Sequence, residues 1–200
     1  MIALIDYDAG NMKSVEKALQ LIGEDVLVTR DPKEILAADK VVLPGVGSFG
    51  DAMENLHHFG LVPVIHQVVQ EQTPFLGICL GLQLLFEKSY EYGEHAGLGL
   101  IPGEVRPLAP VLAPGAKVPH MGWNSVENLR SGLFTGIDQG AYVYYVHSFA
   151  PEVNADTIAT TTYGVPFSAA IRKDNFYGTQ FHPEKSASIG AQILQNFLTL

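Results

Sequence analysis

Short apolar runs alternate with amphipathic stretches through the first half of the chain. Ile2-Ala3-Leu4-Ile5, Val26-Leu27-Val28, Val41-Val42-Leu43 and Phe75-Leu76-Gly77-Ile78 contain no polar side chain, the pattern of strands buried on both faces. Residues 14–21 place Val15, Ala18 and Leu19, with Ile22, on one side at helical spacing, and Gly23 stands where a C-cap glycine belongs. Asp31-Pro32 opens a short helix, and residues 51–56 and 61–71 predict two more. Such alternation predicts an α/β fold with helices flanking a central, mostly parallel sheet.

After Phe86 the pattern changes. Pro102, Pro107, Pro110, Pro114 and Pro119 crowd residues 102–119, which predicts loop and edge structure and no helix. Residues 142–147, 157–162, 167–171 and 177–181 then predict an additional β-rich portion. Residues 186–198 predict a closing amphipathic helix that presents Ile189, Ile193, Leu194 and Phe197 to the core. A linker at the prolines would leave each half too small for its apolar content, so residues 1–200 read as a single domain.

Composition narrows the classes. Twelve basic against 21 acidic residues give a net charge of −9, and charged residues make up 16% against a usual ~25%. That argues against a disordered tail and leaves no basic footprint for nucleic acid or an anionic membrane. The longest uncharged stretch around the cysteine, residues 72–86, falls short of the roughly 20 apolar residues of a membrane helix. Met1–Ile5 reaches Asp6 without a basic region or cleavage signal, and no Asn-x-Ser/Thr site occurs; a soluble, cytoplasmic protein is expected. Cys79 is the one cysteine, which excludes an internal disulfide and any multi-cysteine metal cluster. His57, His58 and His66 are separated by Gly60 and Pro63, which break the alignment a metal site needs; neither metal nor cofactor is expected.

The single thiol sits in Gly77-Ile78-Cys79-Leu80-Gly81, between a predicted strand and a predicted helix. Two readings fit: an inert cysteine between packing glycines, or a nucleophile elbow whose flanking glycines let two backbones approach. In the second, the helix N-terminus favours a thiolate and supplies N–H groups to an oxyanion. No Lys or Arg occurs from Val41 to Glu87, so a cation beside the thiol must come from a distant segment. His182-Pro183-Glu184 offers one: a carboxylate two residues from an imidazole can fix its tautomer while the other ring nitrogen faces a nucleophile. Pro44-Gly45-Val46-Gly47-Ser48-Phe49-Gly50 matches Gly-x-Gly-x-x-Gly, but a dinucleotide site wants an acidic residue at the end of the next strand, where Cys79 stands. A loop of backbone N–H groups beside a cysteine elbow suits an oxyanion hole better.

Together, Pro44-Gly45-Val46-Gly47, the Cys79 elbow with Gln83, and His182-Pro183-Glu184 resemble the class I (triad) glutamine amidotransferases. Asp6-Tyr7-Asp8-Ala9-Gly10-Asn11, Pro119-His120-Met121-Gly122-Trp123-Asn124 and Tyr145-Val146-His147-Ser148 narrow the resemblance to the glutaminase subunits of imidazole glycerol phosphate synthase. The resemblance implies a flavodoxin-like class I amidotransferase fold. It implies Cys79 as nucleophile, His182 as base and Glu184 as its orienting carboxylate. It places the oxyanion donors at Leu80 and in the Val46–Gly47 loop, and glutamine contacts at Gly45, Gln83, Ser148 and Phe149. The change of a frequent tyrosine to Phe149 matters little if that contact is through the main chain. A (βα)8-barrel cyclase subunit is the implied partner, in a heterodimer, facing Asn11, Ser14, Met121, Trp123, Asn124 and Tyr144. Ammonia would pass to that subunit for histidine biosynthesis, and Val46 would belong to a peptide that turns over to complete the oxyanion hole. A glutaminase subunit serving another synthase, such as that of the pyridoxal phosphate pathway, is the nearest alternative. A non-catalytic nucleotide-binding subunit is the alternative from a different class.

Overall fold

The computed structural model describes residues 1–200. Strand β1 (Ile2–Ile5), helix α1 (Met12–Leu21), β2 (Val26–Thr29), α2 (Pro32–Leu36), β3 (Lys40–Leu43), α3 (Phe49–His58), α4 (Leu61–Gln70) and β4 (Phe75–Ile78) follow in turn. A four-residue α5 (Leu80–Gln83) leads into β5 (Phe86–Ser89), β6 (His95–Ala96) and β7 (Ile101–Pro107). Then come β8 (His120–Val126), β9 (Ala141–His147), β10 (Phe149–Pro151), β11 (Thr157–Tyr163), β12 (Val165–Lys173), β13 (Phe176–Thr179) and α6 (Ala187–Thr199).

The central sheet has seven strands in the order β11-β12-β13-β4-β3-β1-β2. β2, β1, β3, β4 and β13 run parallel; β12 and β11 add antiparallel at one edge. Alternate strand residues feed opposite cores. Ala3, Ile5, Val41, Leu43 and Phe75 pack under α2, α3 and α4, while Ile2, Leu4, Val42, Leu76 and Ile78 pack under α1 and α6. Helix starts follow their side chains: the Asp31 carboxylate caps α2 through the Lys33 N–H, and the Ser48 hydroxyl caps α3 through the Asp51 N–H.

The proline-rich stretch departs from expectation. Residues 101–107 form β7, which lies inside a four-stranded sheet of order β10-β7-β5-β6. Pro102 and Pro107 fall at the two ends of that strand, where a missing N–H does least harm; only residues beyond it are loop and a 3-10 turn at Ala109–Val111. β5, β6 and β8, short or interrupted by polar residues, carried no clear period in the sequence. β8 and β9 pair as a separate antiparallel ribbon, and β9 leads through Ser148 straight into β10 of the other sheet.

Candidate active site

The loops after β3 and β4 converge at the carboxyl edge of the parallel strands, beside the point where the order turns from β1–β2 to β3–β4, the usual place for a ligand in an open α/β sheet. Cys79 stands between β4 and α5 with φ 54° and ψ −106°, a strained conformation for a side-chain-bearing residue. The glycines on either side explain how the strain is held. A Cβ on Gly77 would lie 2.6 Å from the Gly81 carbonyl oxygen, and one on Gly81 would collide with the Leu43 carbonyl. The Cys79 N–H donates to Thr179 O at 2.7 Å, fixing the elbow to β13. With four residues, α5 contributes chiefly its first-turn N–H groups, not a long helix dipole.

His182 arrives from the other end of the sequence. β13 stops at Thr179, two residues earlier than expected, and the chain turns through Gln180 and Phe181 into a 3-10 turn at Pro183–Lys185. His182 is wholly buried, and its Nδ1 lies 2.7 Å from Glu184 Oε1. Its N–H donates to Tyr144 O of β9, and its carbonyl accepts from the Ser186 hydroxyl. The remaining ring nitrogen, Nε2, has no hydrogen-bond partner. Burial opposes a charge on this ring, but the Cys79 sulfur and the Glu184 carboxylate outweigh it and push the His182 pKa up to about 10. Glu184 Oε1 also accepts from Asn11 Nδ2 at 2.5 Å, which ties the loop between β1 and α1 to the triad.

Cys79 opens onto a cleft of about 310 Å³. Val46, Gly47, Leu80, Gln83, Ser148 and Phe149 all line it. Gly45 lies behind the wall, where a Cβ would sit 2.5 Å from the Tyr7 hydroxyl. Gln83 is buried and donates to Phe149 O at 2.9 Å and to Gln180 Oε1 at 3.0 Å. The Leu80 N–H donates to Gly45 O at 3.3 Å. That bond turns the Gly45 carbonyl toward the elbow, so this donor is engaged within the protein.

Two polar residues of the site escaped sequence reasoning. Gln180 places Nε2 3.7 Å from the Cys79 sulfur; its position two residues before His182 was the available signal. Glu91 lines the cleft, accepts from the Phe49 N–H at 2.7 Å, and has its pKa raised, mainly by burial. It lies in a polar loop without any motif.

The residues expected to face a partner split by exposure. Met121 and Trp123 are 62% and 51% exposed, and Ser14 is exposed as well. A lone tryptophan is ordinarily core, and this one stands at the surface. Tyr144 is half-buried, its ring edge-on to Trp123 at 6.0 Å. Asn11 and Asn124 are also half-buried and already hydrogen-bonded within the chain.

At the carboxyl edge of such a sheet, a strained cysteine beside a histidine that a carboxylate holds is the arrangement of a thiol acyl-transfer site. The family model of glutamine amidotransferase class-I matches residues 3–200, and the chain belongs to that family. Its curated relatives include the imidazole glycerol phosphate synthase subunit HisH of Moorella thermoacetica, 52% identical over 98% of this chain and 93% of that protein. The subunit HisH of Geobacter sulfurreducens is 49% identical over 98% of this chain and 97% of that protein. Among solved structures, a crystal structure of a glutamine amidotransferase superposes with a TM-score of 0.76 at 15% identity, covering 100% of this chain and 98% of the other. It supports the fold alone. No helix is long and apolar enough to cross a membrane.

Proposed function

We propose that this chain is the glutaminase subunit of imidazole glycerol phosphate synthase, hydrolysing L-glutamine to glutamate and ammonia for histidine biosynthesis. The observation that carries the chemistry is the buried His182–Glu184 pair beside the sulfur of the strained Cys79 elbow. Cys79 sulfur attacks the side-chain amide carbon of glutamine, and the proton held by His182 passes to the departing ammonia. Water then attacks the γ-glutamyl thioester with His182 as base, the thiolate leaves, and glutamate is released. Glu184 keeps the tautomer and orientation of His182 throughout. Glu91 is the only carboxylate lining the cleft and receives the substrate's α-ammonium group, while Gln83 and the Ser148–Phe149 main chain hold the amino-acid portion.

The oxyanion hole is the incomplete part. With the Leu80 N–H given to Gly45 O, the Gly45–Val46 peptide must turn over. That frees the Leu80 N–H and brings the Val46 N–H to the cleft. Gly10 packs against Val46, a Cβ there meeting Val46 Cγ2 at 2.7 Å, so pressure on the Asp6–Asn11 loop reaches the turning peptide. The partner is a (βα)8-barrel cyclase subunit in a cytoplasmic heterodimer, seated over Met121, Trp123 and Tyr144, Asn11 and the first turn of α1 with Ser14. A one-domain subunit of this kind has low activity until the partner holds its nucleotide.

The test is twofold. An electrophilic glutamine analogue is expected to label Cys79 alone by mass spectrometry, and label elsewhere overturns the assignment. Glutaminase turnover is expected to rise when the cyclase subunit and its nucleotide are both added; equal turnover with and without them overturns the peptide-turning reading.

A further inference from the structure

Two buried histidines outside the triad remain unused by this chemistry. His120 opens β8, His147 closes β9, and the register of the ribbon pairs them directly. His147 Nδ1 lies 2.9 Å from the Phe149 carbonyl oxygen. A carbonyl only accepts, so Nδ1 carries the proton, and a neutral ring then offers Nε2 as an acceptor. His120 Nδ1, 2.9 Å away, must donate to it. His120 Nε2 in turn accepts from the Asn124 amide at 3.3 Å. The partners thus leave one proton arrangement, with every donor pointing from Asn124 toward Phe149. Hydrogen bonds aligned in this way polarise one another.

Packing fixes the rings as firmly as the hydrogen bonds do. His120 is stacked between Tyr163 at 4.1 Å and Tyr145 at 4.8 Å. Burial drives the His120 pKa down to about 4. For His147, burial prevails over the Phe149 carbonyl and is reinforced by His120 and His182, leaving a pKa of about 3. The bond from the His147 ring to Phe149 O spans Ser148, where the chain leaves the β8–β9 ribbon and enters β10. Gln83 donates to the same carbonyl oxygen, so the cleft wall and the elbow helix are tied at one atom.

We propose that His120 and His147 are positioning residues for glutamine binding: the oriented pair pins the Phe149 carbonyl and thereby holds the Ser148 wall of the cleft in register with Cys79. The proposal rests on the glutaminase reading of the cleft. It also gives Asn124, on the strand that carries Trp123, a direct line to the substrate wall.

Asparagine places an amide near the Nδ1 position of histidine and glutamine places one near Nε2, so the two replacements separate the bonds. H147Q keeps the His120 contact and loses the donor to Phe149; H147N keeps that donor. In steady-state glutaminase assays of the full chain with its cyclase partner, H147Q is expected to raise KM for glutamine about tenfold, the scale of one lost hydrogen bond at a buried site, with kcat little changed. H147N is expected to recover most of the affinity. Equal KM values for the two variants overturn the proposal. The imidazole 15N spectrum of the folded wild-type chain is expected to show both rings neutral and Nδ1-protonated across roughly pH 5 to 8, where an unperturbed histidine titrates. An Nε2–H tautomer, or titration in that range, overturns it without any variant. A wild type without glutaminase activity overturns the reading of the cleft instead, and the spectrum, which needs no turnover, tells the two failures apart.

Discussion

Cys79, His182 and Glu184 show what single residues owe to their surroundings. The thiol, the imidazole and the carboxylate are ordinary groups; against the opposing effect of burial, contact with the Cys79 sulfur and the Glu184 carboxylate makes the histidine a strong base at about pKa 10. Glu91 is the residue on which the sequence was silent, because a carboxylate in a polar loop has no period and no motif. The role proposed for it follows from charge: it faces a cleft that would admit the ammonium group of glutamine. Glu91→Gln is expected to raise KM for glutamine about tenfold or more, as a lost charge-assisted bond does, with kcat less affected. Steady-state kinetics check this, and an unchanged KM would assign the ammonium group to another partner. The motif residues were legible because their chemistry needs particular types at particular spacings, whereas Glu91 and Gln180 were placed by folding alone.

At the scale of elements, the parallel strands and their helices were readable from apolar runs and capping residues. α5 was legible only through the elbow motif, four residues being too few to show a period, and β7 was not, since prolines at strand ends mimic a loop. α6 contributes something its amphipathic pattern does not reveal. Gly190 lies where a Cβ would collide with the Pro183 carbonyl, so the helix packs directly on the turn carrying His182 and Glu184. By helix propensity alone, Gly190→Ala would stabilise by about 1 kcal/mol. The collision is with backbone in a packed site, and overpacking of that kind costs about 1–3 kcal/mol. The clash wins. Thermal unfolding is expected to show a lower Tm for Gly190→Ala, and kcat is expected to fall at temperatures where the variant stays folded; a raised Tm with wild-type kcat would show that the turn yields easily.

For the molecule as a whole, the two neutral histidines set a pH dependence opposite to that of His182. His182 has a raised pKa, so its stabilisation is complete below about pH 6.5 and is lost as pH rises toward about 10. His120 and His147 have lowered values, near 4 and 3. The unfolded chain protonates them first, and stability falls as pH drops below about 6.5. For His147, the more deeply enclosed of the two, the slope is at most about 1.4 kcal/mol per pH unit. Denaturation from pH 6.5 to 4 is expected to show declining stability in the wild type and a shallower decline when both histidines are glutamine; parallel curves would show that the rings are not held neutral. Met121 and Trp123 stand exposed on the β8–β9 ribbon, where the proposed cyclase partner would cover them. By itself the sequence determined the α/β alternation, the cysteine elbow and the closeness of His182 to Glu184, because backbone sterics and local spacing are written in neighbouring residues. Only the tertiary structure decided that His182 meets Cys79 across more than half the chain, that the Leu80 N–H is engaged by Gly45, and that His120 and His147 join into one chain of hydrogen bonds ending on Phe149 O. Those facts depend on sheet order and loop closure, which no local pattern encodes.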